Sequence, residues 1–158
     1  MSFPKKLFVI QKHKASNLHF DFRLKYKNVL ISWAIPRGPS LNPEEKRLAI
    51  AVEDHDPEHA FYEDEYCIVW DKGNYFNITG LDEKGEIIPL DEAINNGVIE
   101  IILNGKRLKG GWNLIRVNYE NKNNNWLLIK KKDRYIKKGY EITEKETNSV
   151  ISNKKLNE

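Results

Sequence analysis

The chain has one cysteine, Cys67, among its 158 residues, so it forms no internal disulfide. That fits a reducing compartment and leaves the fold to rest on its apolar core. A single domain of this length buries roughly two-thirds of its unfolded surface, which is enough without staples. No apolar run approaches the roughly 20 residues that a membrane helix needs. The short polar start, Met1 to Lys6, leads straight into Leu7-Phe8-Val9-Ile10 and lacks the layout of a signal peptide. A cytoplasmic protein with no membrane partner is expected. Internal repeats and linkers are absent, and helical patterning is scarce. Leu90–Asn96, stopped by Gly97, reads as two helical turns. Histidine is missing from the last 99 residues; His13, His19, His55 and His59 all fall before residue 60.

What is present reads as strands. Phe8-Val9-Ile10-Gln11 is a short apolar run, and Phe20, Phe22 and Leu24 alternate with His19, Asp21 and Arg23. Lys25 to Asn28 turn the chain into Val29–Ile35, which Pro36-Arg37-Gly38-Pro39 ends. Leu48, Ile50 and Val52 alternate with Arg47, Ala49, Ala51 and Glu53. Tyr66–Trp70 and Tyr75–Thr79 flank an expected turn at Asp71-Lys72-Gly73. Val98–Leu103 meets Leu108 across an expected hairpin at Asn104-Gly105, and Trp112–Val117 and Trp126–Lys130 flank an Asn-rich loop. So many short strands leave open edges unless the sheet closes. The expectation is a mostly β domain over residues 1–138, a closed or nearly closed barrel of about eight strands with one short helix. Residues 139–158 would be a polar C-terminal tail, a frayed helix or without order.

Charge is unevenly spread. Residues 61–104 carry 2 basic and 10 acidic side chains, and residues 105–138 carry 11 basic and 2 acidic. The basic block, with Trp112, Tyr119, Trp126 and Tyr135, suits a phosphate backbone; it equally suits a solvated strand face rich in lysine.

The chemistry-bearing residues lie in the first third. On a strand, His19, Asp21 and Arg23 point to one side, with Phe20, Phe22 and Leu24 on the other. His13-x5-His19-x-Asp21 offers two imidazoles and a carboxylate, a mixed N/O set that suits Mn, Fe or Zn and leaves positions open for water and substrate. Arg47, Ala49, Ala51, Glu53 and His55 share one side of an unbroken strand. Extended, Arg47 and His55 stand about 26 Å apart at ~3.3 Å per residue, so both reach one phosphate only if the chain curves or bulges near Glu53. Arg37 sits in a rigid turn that fixes its direction. Arginines at 23, 37 and 47 beside a metal are what a phosphoester substrate requires. Two other classes stay open. His19-x-Asp21 with a later His55 or His59 would make the triad of a non-haem iron oxygenase. The basic, aromatic segment alone would make a non-catalytic nucleic-acid-binding module.

Phe8-Val9-Ile10-Gln11-Lys12-His13, Leu18-His19-Phe20-Asp21-Phe22-Arg23-Leu24 and Ser32-Trp33-Ala34-Ile35-Pro36-Arg37-Gly38-Pro39-Ser40 recur in order with Lys46-Arg47-Leu48-Ala49 and Val52-Glu53-Asp54-His55. Ile68-Val69-Trp70-Asp71-Lys72-Gly73, Gly105-Lys106-Arg107-Leu108-Lys109-Gly110 and Trp126-Leu127-Leu128-Ile129-Lys130-Lys131 continue the series. Over about residues 7–135 this resembles the 3′-phosphoesterase module of bacterial DNA ligase D, here as a stand-alone protein. The resemblance implies a β-barrel enzyme that uses a divalent metal, manganese by preference, with zinc or cobalt as other candidates. It implies removal of a 3′-terminal ribonucleoside, then of the 3′-phosphate, from DNA or RNA-tipped primers during end repair. It assigns His13, His19 and Asp21 to the metal, Arg23 and His55 to the scissile phosphate, Arg47 to a supporting role, and places Gln11 in the site. Arg37 stands where the family commonly has Lys, and His59 where it has Tyr. Phe61–Glu65 replaces a glycine-rich loop, and only twelve residues precede His13 where the family has a longer arm used in phosphate removal. Slower phosphate removal is therefore expected. The implied partners are DNA or RNA-tipped 3′ ends and a separately encoded DNA ligase or primase-polymerase, with the chain itself a monomer.

Overall fold

A computed structural model of the protein describes residues 5–118 and 124–157; Tyr119 lies outside them. Eight strands form in chain order: β1 (Lys6–Lys14), β2 (Leu18–Tyr26), β3 (Val29–Ile35), β4 (Arg47–His55), β5 (Cys67–Asn77), β6 (Val98–Gly105), β7 (Lys109–Arg116) and β8 (Asn125–Lys130). They close into one barrel in the order β1-β2-β3-β4-β8-β7-β6-β5, and every pairing is antiparallel. The mostly β closed barrel expected from the alternation is present. Helix α1 (Leu90–Asn96) ends where Gly97 takes a left-handed φ of 83°, a conformation glycine adopts at little cost. A second, four-residue helix, α2 (Ile142–Lys145), lies in the C-terminal segment expected to be a frayed helix or without order. Among the described residues no helix is long and apolar enough to cross a membrane.

Alternation sends one face of each strand into the barrel. Phe8, Ile10, Phe22, Leu24, Trp33, Trp70, Trp112, Leu114, Trp126 and Leu128 fill it. Aromatic rings interlock edge to face, Phe20 with Trp70 at 5.5 Å and Trp33 with Trp126 at 5.7 Å between centroids, the geometry their quadrupoles favour. With the interior filled by side chains, chemistry is left to the outer wall and the rims.

Two expected turns lie elsewhere. Asp71-Lys72-Gly73 sits in the middle of β5. A bulge against β1, between Ile10 and Gln11, lets the sequence neighbours Trp70 and Asp71 both become fully buried. The Asp71 carboxylate accepts the backbone N–H groups of Lys106, Arg107 and Leu108 at 2.8–3.0 Å and so closes the β6–β7 turn. That turn falls at 106–108 rather than at Asn104-Gly105, which remain paired in β6. Gly73 is needed for close approach: a Cβ there would stand 2.1 Å from the Asn104 carbonyl oxygen.

The segment after Gly139 lies against the barrel. Ile142, Ser149 and Leu156 are buried. Trp70 Nε1 donates to the Glu146 carbonyl at 2.7 Å, and Arg47 Nη2 to Glu141 Oε2 at 2.9 Å. On the outer wall, Val9, Leu30, Val69 and Ala60 form a second apolar cluster, which seats the 56–66 loop beside β1 and β5.

Candidate metal and phosphate site

The pairing of β1 with β2 sets His13 opposite His19, Gln11 opposite Asp21 and Val9 opposite Arg23. Directly opposed residues share a face, so all six project from the outer wall. The imidazole rings of His13 and His19 stand 5.0 Å apart, edge to face. Asp21 Oδ2 is 3.2 Å from His19 Nε2 and 3.7 Å from His13 Nδ1. The ligand-type atoms of these three residues all lie within 4.8 Å of one another. Donors bonded at about 2.1 Å to one ion stand about 3.0–3.4 Å apart for octahedral or tetrahedral angles, so the trio fits a divalent cation with small adjustments. The hydrogen bond to Asp21 holds the His19 pKa above its ordinary 6.5.

Arg23 is held from several sides. Its Nε donates to Gln11 Oε1 and its Nη1 to Ser32 Oγ, each at 2.8 Å, and its Nη2 lies 3.6 Å from Asp21 Oδ2. Its side chain is only 8% exposed, which fixes the guanidinium beside the metal ligands. Burial pulls its pKa down, opposed by the Asp21 charge. His55 Nδ1 lies 3.0 Å from Arg23 Nη1 and 2.9 Å from the Glu53 carbonyl oxygen. His55 reaches this wall through a bulge: Ser32 pairs with Val52 but Leu30 with His55, three steps on β4 against two on β3.

The 56–66 loop forms the opposite wall. Gln11 Nε2 donates to the carbonyls of His59 (2.9 Å) and Ala60 (3.2 Å) and ties the loop down. The result is a cleft of about 280 Å³ lined by Gln11, His13, Asp21, Arg23, His55, His59, Tyr62, Asp64 and Cys67. Burial, helped by the Asp64 and Asp21 carboxylates, pushes the Cys67 thiol up to about 11. Tyr62, Asp64, Cys67 and Ser32 had been given no role. Ser32 carried a signal, a lone hydroxyl in the apolar run of β3; Tyr62 and Asp64 sit in an irregular loop without pattern.

Arg47 and Arg37 are not among the residues lining this cleft. Arg47 pairs with Leu128, a core residue, and is 4% exposed. The bulge that carries His55 outward leaves Arg47 on the inner side, where it binds Glu141 and the Arg37 carbonyl. Arg47, expected to support the phosphate, here ties the C-terminal segment to the barrel instead of lining the cleft. Arg37 is exposed past the end of β3. The basic block is also largely committed. Lys130 is buried and donates to Asp133 at 2.8 Å, Lys131 pairs with Glu100, and Arg116 donates to the carbonyls ending α1. Trp112 and Trp126 are buried and present no stacking face. The oxygenase triad is rearranged as well, since His13 joins His19 and Asp21 while His55 binds Arg23.

The family model of the DNA ligase D 3′-phosphoesterase domain matches residues 11–116. The chain belongs to this family. The match opens at Gln11 and takes in every residue lining the cleft. The multifunctional non-homologous end joining protein LigD of Pseudomonas aeruginosa is 37% identical over 160 residues, which covers 94% of this chain and 18% of that protein. The LigD proteins of Mycobacterium bovis and Mycobacterium tuberculosis are each 36% identical over 144 residues, covering 85% of this chain and 17% of theirs. The chain thus spans under a fifth of the length of these relatives, and its DNA ligase D 3′-phosphoesterase fold carries the whole cleft.

Proposed function

We propose that the protein is a manganese-dependent 3′-end-processing phosphodiesterase. It removes a 3′-terminal ribonucleoside from DNA or RNA-tipped primers and, more slowly, the 3′-phosphate left behind. The observation that carries this reading is the convergence of His13, His19 and Asp21 within 4.8 Å, beside a buried arginine that already holds a histidine. The donor set, two imidazoles and one carboxylate without thiolate, suits a borderline or hard divalent ion. A cation held there supplies charge that polarises the phosphoryl group.

The remaining chemistry falls to the chain's own side chains. Gln11, Ser32 and Asp21 pre-set the Arg23 guanidinium, so it meets the phosphate oxygens without reorganising as charge develops. His55 Nδ1 can accept from Arg23 or donate to the Glu53 carbonyl, but one neutral tautomer cannot do both. When Nδ1 accepts from Arg23, the proton sits on Nε2, the nitrogen left free for substrate. Hydrolysis forms a bond from water oxygen to phosphorus and breaks the P–O5′ bond. The attacking water loses one proton to solvent and the departing O5′ takes one up from solvent, while His55 Nε2–H donates a hydrogen bond to the phosphate and keeps its proton. The products are a free nucleoside and a strand ending in a 3′-phosphate.

The names of the relatives tie them to non-homologous end joining, and we assign this chain to trimming 3′ ends for a DNA ligase or primase-polymerase. The test is a 5′-labelled primer ending in one ribonucleotide, incubated with and without manganese. Conversion to a strand one nucleotide shorter with a 3′-phosphate supports the reading. No cleavage in manganese overturns it.

A further inference from the structure

The loop wall of the cleft has a polarity that phosphate binding does not use. Tyr62 Oη donates to Asp64 Oδ2 at 2.9 Å, and Asp64 Oδ1 accepts from the Tyr66 N–H at 2.7 Å. Both side chains line the cleft that contains His13, Asp21, Arg23 and His55. Tyr62 is 53% exposed. The N–H of Tyr66 and the phenol of Tyr62 both donate to the Asp64 carboxylate, an arrangement that suits its ionised form. With its hydrogen committed to Asp64, Tyr62 Oη offers a lone pair, and the carboxylate offers only lone pairs. Phosphodiester oxygens have no hydrogen to give either group, and their charge is repelled by Asp64.

The fitting group is a hydroxyl donor. The loop holds both acceptors in place: Asp64 N donates to the Cys67 carbonyl at 2.9 Å, Tyr62 N to the His59 carbonyl at 3.2 Å, and Val69 N to Glu63 Oε2 at 2.7 Å. Two fixed acceptors side by side match two neighbouring hydroxyls. We propose that Tyr62 and Asp64 read the vicinal 2′- and 3′-hydroxyls of the terminal ribonucleoside, with its phosphate against Arg23 and His55, so that this loop sets a preference for ribose ends. The inference rests on the phosphodiesterase reading above and names the side chains through which the same site would select ribose. A 2′-deoxy or 3′-deoxy terminus leaves one acceptor unpaired, and a 2′,3′-dideoxy terminus leaves both, which is the kind of discrimination a polar site achieves best.

The experiment compares kcat/KM on three diester primers that differ only in the terminal sugar: ribose, 3′-deoxyribose and 2′,3′-dideoxyribose. The unaltered protein should favour ribose over dideoxyribose by roughly 10–100-fold, with 3′-deoxyribose between, as expected for hydrogen bonds to a charged acceptor. Asp64→Asn keeps an oxygen for the Tyr66 N–H but loses the charge, and should bring the ratio close to one. Tyr62→Phe removes one acceptor and should narrow the ratio part of the way. Variants that slow all three substrates equally, or an unaltered protein with no sugar preference, would overturn the proposal. If the unaltered protein cleaves none of the three in manganese, the phosphodiesterase reading itself falls and takes this inference with it.

Discussion

The Nη1 of Arg23 stands 2.8 Å from the Oγ of Ser32 on the neighbouring strand, and Ser32 in turn donates to the Leu30 carbonyl at 3.0 Å. The hydroxyl thus holds the guanidinium from behind without touching the open side of the cleft. Ser32→Ala should lower kcat by about 10-fold, the order expected for a lost hydrogen bond to a charged group, while manganese affinity stays as it was. Unchanged kcat would mean that Gln11 and His55 position Arg23 unaided.

Arg47 tests the opposite assignment. It is buried, and its partner Glu141 anchors the C-terminal segment. Breaking a buried pair leaves an uncompensated charge and costs about 3 kcal/mol or more. Arg47→Ala should therefore unfold at clearly lower urea concentration, whereas the folded protein should keep most of its kcat. A variant of normal stability that has lost its activity would return Arg47 to the phosphate.

Cys67 gives a pH dependence. Its thiol pKa is raised from 9.0 to about 11, so the protonated, unreactive form persists to higher pH. At pH 8 its thiolate fraction is about 100-fold below that of a thiol titrating at 9, and alkylation by iodoacetamide should slow in proportion. The rate should climb as pH rises and level off above about 11. A plateau near pH 9 would show that the cleft wall is better solvated than its burial indicates.

How much of this could be read from the residues depended on regular geometry. His19, Asp21 and Arg23 were legible as one row because β2 runs without a break through them, and His13 joined them by pairing directly opposite His19. The bulge near Glu53, which a shared site for Arg47 and His55 would have required, brings His55 to the cleft wall and leaves Arg47 on the inner side; a bulge has no hydrophobic period, so its outcome was not legible. Asp71-Lys72-Gly73 carried the composition of a turn, but its glycine serves close approach and its aspartate caps a turn far along the chain. Lys130 looked like a surface cation because its partner, Asp133, stands beyond the end of β8. The family resemblance covered the metal and phosphate residues and was silent on Tyr62 and Asp64.

His59 lines the cleft and packs at 6.4 Å from the Tyr62 ring. A 3′-phosphate monoester carries nearly two negative charges near neutral pH, its second pKa being about 6, and it meets the carboxylate of Asp64 in the same cleft. It needs more donors than a diester, and His59 is an added one. His59→Phe should slow phosphate removal several-fold more than nucleoside removal, measured on matched phosphate-ended and ribonucleotide-ended strands. Equal slowing of both steps would mean that His59 only supports the loop.

The central claim is that His13, His19 and Asp21 hold the cation on which cleavage depends. Manganese titration of the unaltered protein and of Asp21→Ala, read by the loss of the free-ion paramagnetic signal and by primer cleavage in the same samples, tests it directly. The unaltered protein should bind one ion per chain, lose cleavage on chelation and regain it when manganese is restored. Asp21→Ala should bind manganese at least about 100-fold more weakly and cleave nothing, with its circular dichroism and unfolding transition intact. Undiminished manganese binding or cleavage in a folded Asp21→Ala protein would contradict the account.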